Sequence, residues 1–590
     1  MTKDVDPIVL DLIENALLNA RFEMDSVVVR VALSPVIREQ HDEFPMICDP
    51  EGRMVVGQFG SYIPAIVEEY TDINEGDIFV WNDPYACKGS ISHNNDWCVM
   101  MPIFHEGVLV GFSSIFGHMV DVGGKVPGSM PADAYSIWEE GLRVPPVKIY
   151  EKGVLNEGVL KIMLNNTRTP DMNRADLMAL IAGCRTAAKR VQEICDRFGR
   201  DTYLASCGLL LNRTREAMRV LINKYIPEEA VSFTDYVDDD GVGNGPFKMQ
   251  LSIYRRGDKA VFDWTGTDDQ AEGPINFHIH EGLCKLFFGV YMIMAFDPKI
   301  MFNEGFYDLF EVVLPEGSLL NPKFPAALSN RLNTHTRFFD CQAGALGQQA
   351  PHLSMAAGYG TSPHFIFTGQ DKNGKYFQLM ELLFGGVPGR PRGDGLDGHA
   401  WWPLFSATPI EYIENYYPVI VESYRPVKDA GGAGLHRGGA GIEKTYRVLE
   451  AGSVSIHDDR EVVPPWGING GLHGGTSSKW LIRAGSDKRE RIKSKLDNLK
   501  VEPGDRIVFI TAGSGGWGDP LDRAPEKVLA DVRNDLVSRE KAEEDYAVVI
   551  SEKKVLDTEA TEKLRAARKK ERGAPAPFDF GFIPGVHAAE

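Results

Sequence analysis

The sequence predicts an α+β, multidomain protein: an N-terminal α/β region built around a possible metal-binding hairpin, a mainly β region rich in Gly, and a C-terminal helix and tail. Three observations predict it. Apolar residues recur at helical spacing in segments 1–226, interleaved with short strand-like runs. Across 227–550 clusters of Gly and Pro punctuate short apolar runs, the pattern of a sandwich or barrel. Segment 551–590 is first densely charged and then apolar, too short to make a core of its own. With 590 residues the chain is long enough to bury more than one core.

Taken in order, Asp6 followed by Pro7 is a helix start, an acceptor side chain and then a proline at the first helical position. Val9, Leu12, Ile13, Ala16, Leu17 and Ala20 continue it at helical spacing, giving one buried stripe. Ser26 to Leu33, rich in Val, reads as a strand. Arg38 to Asp42 is a polar knot between apolar segments, placed either to line a site or to solvate a turn. A long helix is expected from Asp176, ending at Gly199, and another from Tyr203 to Tyr225. The acidic loop after Pro227 marks a domain boundary. Phe247–Tyr254 and Ala260–Trp264 predict a hairpin, and Ile279–Phe296 a buried helix.

Gly513, Gly515 and Gly518 match the spacing G-x-G-x-x-G after a strand-like run. Asp519-Pro520 follows at once, so no helix opens on the last glycine and the dinucleotide reading fails. No phosphate-binding G-x-x-x-x-G-K-[ST] occurs anywhere, so any ATP is expected on another chain. The charged helix from Ser551 to Arg572 leads into a tail with three Phe and three Pro, expected to lie as an arm on a partner subunit.

Charge narrows the function. A formal net charge of -20 excludes a nucleic-acid partner and an anionic membrane surface, which call for a basic face. No run approaches the ~18 consecutive apolar residues of a membrane span, and the N-terminus lacks a positive region followed by an apolar core. The expectation is a cytoplasmic protein acting on a small molecule. Its eight Cys are scattered without a CxxC, which indicates neither a disulfide framework nor a zinc ribbon. Cys98, although close to the stretch that follows, is expected to be a buried bystander.

Trp81 to Met130 carries the chemistry. Val99–Phe104 and Val108–Phe116, joined at His105-Glu106-Gly107, predict an antiparallel hairpin. His93 and Asp96 lie three apart just before the first strand, and His118 leaves the second strand near the point where Asp96 enters the first. Two imidazoles and a carboxylate, with coordination positions left over, suit Zn²⁺, Mn²⁺ or Fe²⁺ at a reactive site. The same H-x-x-D spacing occurs in ordinary hydrogen-bonded surface turns, so spacing alone leaves both readings open. Asp121, three beyond His118 and before Gly123-Gly124, stands as a fourth ligand, a base, or the group that orients an imidazole.

Further residues carry a resemblance. Gly76-Asp77 with Asn82-Asp83-Pro84, His93-x-x-Asp96, His118-x-x-Asp121-x-Gly123-Gly124 and Pro127-Gly128 come in that order. They are followed by Glu140-Gly141-Leu142-Arg143-Val144-Pro145-Pro146, Gly273-Pro274-Ile275-Asn276, Asn303-Glu304-Gly305, Pro315-Glu316-Gly317-Ser318, Gly434-Leu435-His436-Arg437-Gly438-Gly439 and Gly513 to Pro520. In this order they resemble the hydantoinase B family, the HyuB-like subunits of ATP-dependent hydantoinases, 5-oxoprolinase, caprolactamase, and acetone and acetophenone carboxylases.

The resemblance implies one divalent metal held by His93, Asp96 and His118, and a HyuA-like partner subunit that binds and cleaves ATP, with room for a further small subunit. The partner would phosphorylate the substrate's enol or amide oxygen; this chain would then carboxylate the enol phosphate, with bicarbonate as co-substrate, or complete a hydrolysis, with Asp121 or Asp42 as base. Many hydantoinase-type members read H-I-P-V-H and T-H-L-P-D where this chain has Tyr62-Ile63-Pro64-Ala65-Ile66 and Ser92-His93-Asn94-Asn95-Asp96. With Trp97 and Trp401-Trp402, these departures favour a less polar substrate and a ketone carboxylase of the acetophenone or acetone type, with a cyclic-amide hydrolase as the alternative.

Overall fold

The computed structural model describes residues 5–586 apart from 59, 61, 62, 68, 69 and 402–404. Tyr62 and Trp402, two of the residues behind the substrate expectation, lie outside the described residues. The chain divides into two compact units, Met1–Ala230 with Ser252–Arg331 and Val231–Leu251 with Leu332–Glu590. This differs from the three segments expected at 1–226, 227–550 and 551–590. The chain leaves the first unit after Ala230, close to the boundary expected after Pro227, and returns to it at Ser252, a return that no composition shift announces.

Helix α1 (Pro7–Val31) opens as expected: the Asp6 carboxylate accepts from the backbone N–H of Ile8 at 2.8 Å, and Pro7 takes the first position. It does not stop at Ser26, which corrects the strand expected over Ser26–Leu33. Val27, Val28, Val29 and Val31 favour strand intrinsically. However, Met24 and Val28 extend the stripe of Ile13, Leu17 and Ala20 at helical spacing, and the whole stripe is buried in one core with residues of the long helix Pro170–Phe198. Packing outweighs propensity here. The exit is capped from a distance, Leu33 and Ser34 donating backbone N–H bonds to Asp176 Oδ1 at 2.7 and 3.1 Å. A short helix, α2 (Pro35–Arg38), follows.

The core of the first unit is a seven-stranded antiparallel sheet, built of β1 (Glu43–Cys48), β2 (Met54–Val56), β3 (Ile78–Trp81), β4 (Asp96–His105), β5 (Val108–His118), β6 (Val147–Glu151) and β7 (Val154–Leu155). The strands lie in the order β2-β1-β5-β4-β3-β6-β7. The expected hairpin is its centre. Glu106 and Gly107 both take positive φ, 52° and 75°, the tight two-residue turn whose twist matches its strands. The register places Asp96 directly opposite His118. The long helix Pro170–Phe198 packs on the hairpin and begins six residues before Asp176; Gly199 ends it with a φ of 85°. Gly117 has no room for a side chain, because a Cβ there would meet Ile37 at 2.9 Å and Leu180 at 3.0 Å.

The later hairpin and buried helix of this unit also form, Ser252–Asp263 pairing with Arg256 opposite Lys259 and Glu281–Phe296 running as a helix. In the second unit, a four-stranded and a five-stranded sheet share one core, with Phe365 stacked on Tyr446 at 4.0 Å between ring centroids. The Gly513–Gly518 segment is a close backbone crossing. A Cβ at Gly513 would meet the Ala430 carbonyl at 1.9 Å, and one at Gly515 the Trp466 carbonyl at 1.9 Å.

The C-terminal tail, expected as an arm on a partner subunit, also packs on its own unit. Phe578–Asp579 pairs with Gly467–Ile468 of its own unit, and the Phe578 ring lies 5.2 Å from Phe233 and 5.5 Å from Trp466. Packing on its own unit half-buries Phe578 and Phe580 and buries Ile583, while Phe582 stays exposed. Among the described residues no helix is long and apolar enough to cross a membrane.

Candidate metal centre

The end of β5 and the start of β4 are neighbouring rungs of one ladder, so His118 and Asp96 are brought together by register alone. His93 reaches them from the loop before β4. That loop is pinned from both sides: Asn82 donates to the Asn94 carbonyl at 2.6 Å, and Asn95 donates to the Met119 and Gly128 carbonyls at 2.9 and 3.0 Å. His118 Nδ1 lies 3.2 Å and His93 Nε2 2.9 Å from Asp96 Oδ1. The two imidazole rings stand 4.9 Å apart, tilted by 41°. One ligand atom from each of the three residues lies within 4.8 Å of the others, and all three residues are buried.

These donors fit a divalent cation. Among the described residues neither His93 nitrogen has a hydrogen-bond partner, nor does Nε2 of His118, although all three are buried. His93 Nε2 and Asp96 Oδ1 thus meet at contact distance without hydrogen-bond geometry. Ligand atoms about 3–3.5 Å apart are what metal bonds of ~2.1 Å produce. Protonation fits as well. Burial, with the neighbouring Arg331 charge, pushes His93 down to about 3, so its imidazole is neutral and free to ligate. Asp96 is also buried, which favours its neutral form, but the His93 and His118 imidazoles outweigh this and hold it below the usual carboxylate range.

Asp42 precedes β1 and faces the same cluster, its Oδ2 3.7 Å from His118 Nδ1. Burial pushes it up to about 6, against the pull of His118. Asp121 makes a different set of contacts. It accepts from the backbone N–H of Gly123 at 2.9 Å, Gly128 at 3.0 Å and Arg168 at 2.9 Å, and from Arg168 Nη1 at 2.9 Å. Both oxygens are engaged in fixing the Gly123–Gly128 loop. Cys98 is buried, as expected of a bystander, and burial pushes its thiol well up.

Two residues at the site escaped sequence reasoning. Arg331 donates through Nε to Ser92 Oγ at 3.1 Å, and its Nη2 lies 3.7 Å from Asp96 Oδ2. Glu140 accepts the Leu328 and Ser329 backbone N–H groups at 2.5 and 2.8 Å, fixing the loop that carries Arg331. Ser92 and Arg331 are 239 positions apart, so no spacing signal links them. Glu140 lay within a recognised motif, but nothing local distinguishes its role. The Asn94-Asn95 pair also divides: Asn95 is a strut, whereas Asn94 is buried with both polar side-chain atoms unpaired.

A family model described as Hydantoinase B/oxoprolinase matches residues 6–520. The chain is 32% identical to the B subunit of a putative D-/L-hydantoinase of Pseudomonas sp. (strain NS671), over 95% of this chain and 98% of that one. It is 26% identical to the acetophenone carboxylase delta subunit of Aromatoleum aromaticum, over 90% of this chain and 85% of that one. In three dimensions it is similar to the crystal structure of an ATP-dependent caprolactamase from Pseudomonas jessenii. The TM-score is 0.85 at 29% identity, covering 96% of this chain and 100% of that chain.

Proposed function

Because the chain belongs to the hydantoinase B/oxoprolinase family, we propose that it is the metal-holding subunit of an ATP-dependent complex that opens a cyclic amide. The observation that carries the reading is the buried His93, Asp96 and His118 cluster, with three imidazole nitrogens lacking any hydrogen-bond partner. Support for the amide comes from relatives: a hydantoinase subunit at 32% identity and a caprolactamase at 29%, against a ketone carboxylase subunit at 26%. ATP is used on a HyuA-like partner, in keeping with the missing phosphate loop and with relatives named as subunits.

His93, Asp96 and His118 would hold a divalent cation, Zn²⁺ or Mn²⁺ ahead of Fe²⁺, which would supply Lewis acidity. His93 stays neutral and Asp96 ionised, the forms that ligate without first losing a proton. Asp42, up near 6 and beside His118, accepts the proton of the attacking water at its carboxylate. The sheet around the cluster excludes bulk water, so charges act there at lower effective dielectric.

A second reading, carboxylation of a ketone-derived enol phosphate with bicarbonate, is favoured by one observation: the unpaired buried Asn94 beside His93, where hydantoinase-type members carry Leu. Its companion Asn95 is accounted for by the loop it braces.

Labelled bicarbonate and a panel of lactams, hydantoins and methyl ketones, tested on the chain co-purified with its partner, separate the two. Ring-opened amino acid formed without any bicarbonate requirement is the expected result; label appearing in a carboxylic acid selects the carboxylase. His93→Ala is expected to remove the metal and at least 100-fold of activity. Unchanged metal content and turnover in that variant would refute both readings.

A further inference from the structure

Arg331 is placed unusually for a group beside a metal centre. It is 5% exposed, and among the described residues its guanidinium makes one hydrogen bond, from Nε to Ser92 Oγ at 3.1 Å. Its Nη2 faces Asp96 Oδ2 at 3.7 Å, beyond hydrogen-bond reach, and its Nη1 is buried without an acceptor. Two further buried donors on the same two segments are also without acceptors, Nδ2 of Asn94 next to His93 and Nδ2 of Asn330 next to Arg331. A buried charged donor left unsatisfied is costly, and it persists where a ligand completes it.

The loop that presents Arg331 is firmly built. Glu140 clamps Leu328 and Ser329, Ser329 Oγ donates to the Pro131 carbonyl at 2.5 Å, and the Asn330 backbone N–H donates to the Pro274 carbonyl at 2.8 Å. A strut for Asp96 alone would close to hydrogen-bond distance; this side chain is held short of it.

Charge points the same way. A divalent cation together with the Arg331 guanidinium outweighs the Asp96 and Asp42 carboxylates by about one unit. Glu140, which burial pushes up to about 8, is protonated at neutral pH and offsets none of that excess. A neutral amide or ketone leaves the imbalance standing; an anion removes it.

Resting on the metal reading above, we infer that Arg331 is the oxyanion-binding residue of this centre, its free Nη1 taking an oxygen of a phosphoryl or carboxylate group carried by the reactant. The planar guanidinium suits both, since each offers oxygens in the fork geometry that Arg matches. The two sources of that oxyanion are a phosphoryl-activated intermediate and bicarbonate.

The test uses the full-length chain loaded with Mn²⁺, inorganic phosphate as probe and its ³¹P relaxation as readout, with bicarbonate as competitor. Wild type is expected to give saturable relaxation enhancement, showing phosphate held close to Mn²⁺. Displacement by bicarbonate below the phosphate concentration identifies a carboxylate-type oxyanion; failure to displace identifies a phosphoryl group. Arg331→Gln, at Mn²⁺ occupancy matched by elemental analysis, is expected to raise the phosphate Kd at least 10-fold, and Arg331→Lys to restore part of it. Equal Kd for wild type and Arg331→Gln overturns the inference, as does an Arg331→Gln variant that loses Mn²⁺ and recovers it in Arg331→Lys with no gain in phosphate binding. A wild-type chain that retains neither Mn²⁺ nor Zn²⁺ overturns the metal reading itself, a result told apart by metal content alone.

Discussion

At the scale of single residues, the contrast between Asp96 and Asp121 is instructive. Both follow a histidine by three positions, and only the structure separates them. Asp96 faces two imidazoles, three of whose four nitrogens lack hydrogen-bond partners among the described residues, whereas Asp121 is surrounded by three backbone N–H groups and the Arg168 guanidinium. Asp121→Ala is therefore expected to act on stability, not on proton transfer. Removing a buried carboxylate that satisfies four donors costs roughly 2–4 kcal/mol, and urea unfolding of the purified variant measures it. A variant as stable as wild type but inactive would return Asp121 to the reaction. The clustering of His93, Asp96 and His118 was legible because their spacing is short and their strands adjoin. Arg331 was not, because the loop that carries it is fixed by a carboxylate and a carbonyl far away in sequence.

At the scale of elements, the β4–β5 hairpin followed from two apolar runs joined by a short His-Glu-Gly turn, and its register then delivered His118 to Asp96 without help from the rest of the chain. A one-residue slip would turn every side chain of a strand to the opposite face. Gly117, next to His118, is where this arrangement is tightest. Gly117→Val places methyl groups against Ile37 and Leu180 and is expected to destabilise by roughly 1–3 kcal/mol. It is also expected to weaken Mn²⁺ binding by displacing the adjacent His118; thermal melts and metal titration read the two effects separately, and unchanged metal affinity would show that β5 yields without moving the ligand. Helix α1 went further than its local sequence suggests. Its Val-rich end favours a strand on propensity, and only the partner helix, buried against it, tips that end into helix.

At the scale of the whole molecule, the tail makes a clear prediction. Because Phe578 packs on Phe233 and Trp466 of its own unit, truncation after Gly573 is expected to lower the melting temperature of the isolated chain by several degrees. Co-purification with the partner should remain. An unchanged melt with lost co-purification would restore the arm that the tail's aromatics first suggested. The second unit also hides charge that composition does not reveal: Arg337, Arg460, Lys479 and Lys495 are buried, each paired with Asp459, Asp340, Asp458 or Asp239. By itself the sequence determined the mainly local features: the metal-type hairpin, the long helices and their caps, the glycine crossing that binds no nucleotide, and the family landmarks. Tertiary structure alone decided where α1 ends, that residues 252–331 rejoin the first unit, that Asp121 is spent on a loop, and that Arg331 stands beside the cluster with a donor to spare. Spacing of a few residues is set by helix and strand geometry, whereas these outcomes depend on contacts between segments tens to hundreds of positions apart, whose meeting is fixed only when the cores close.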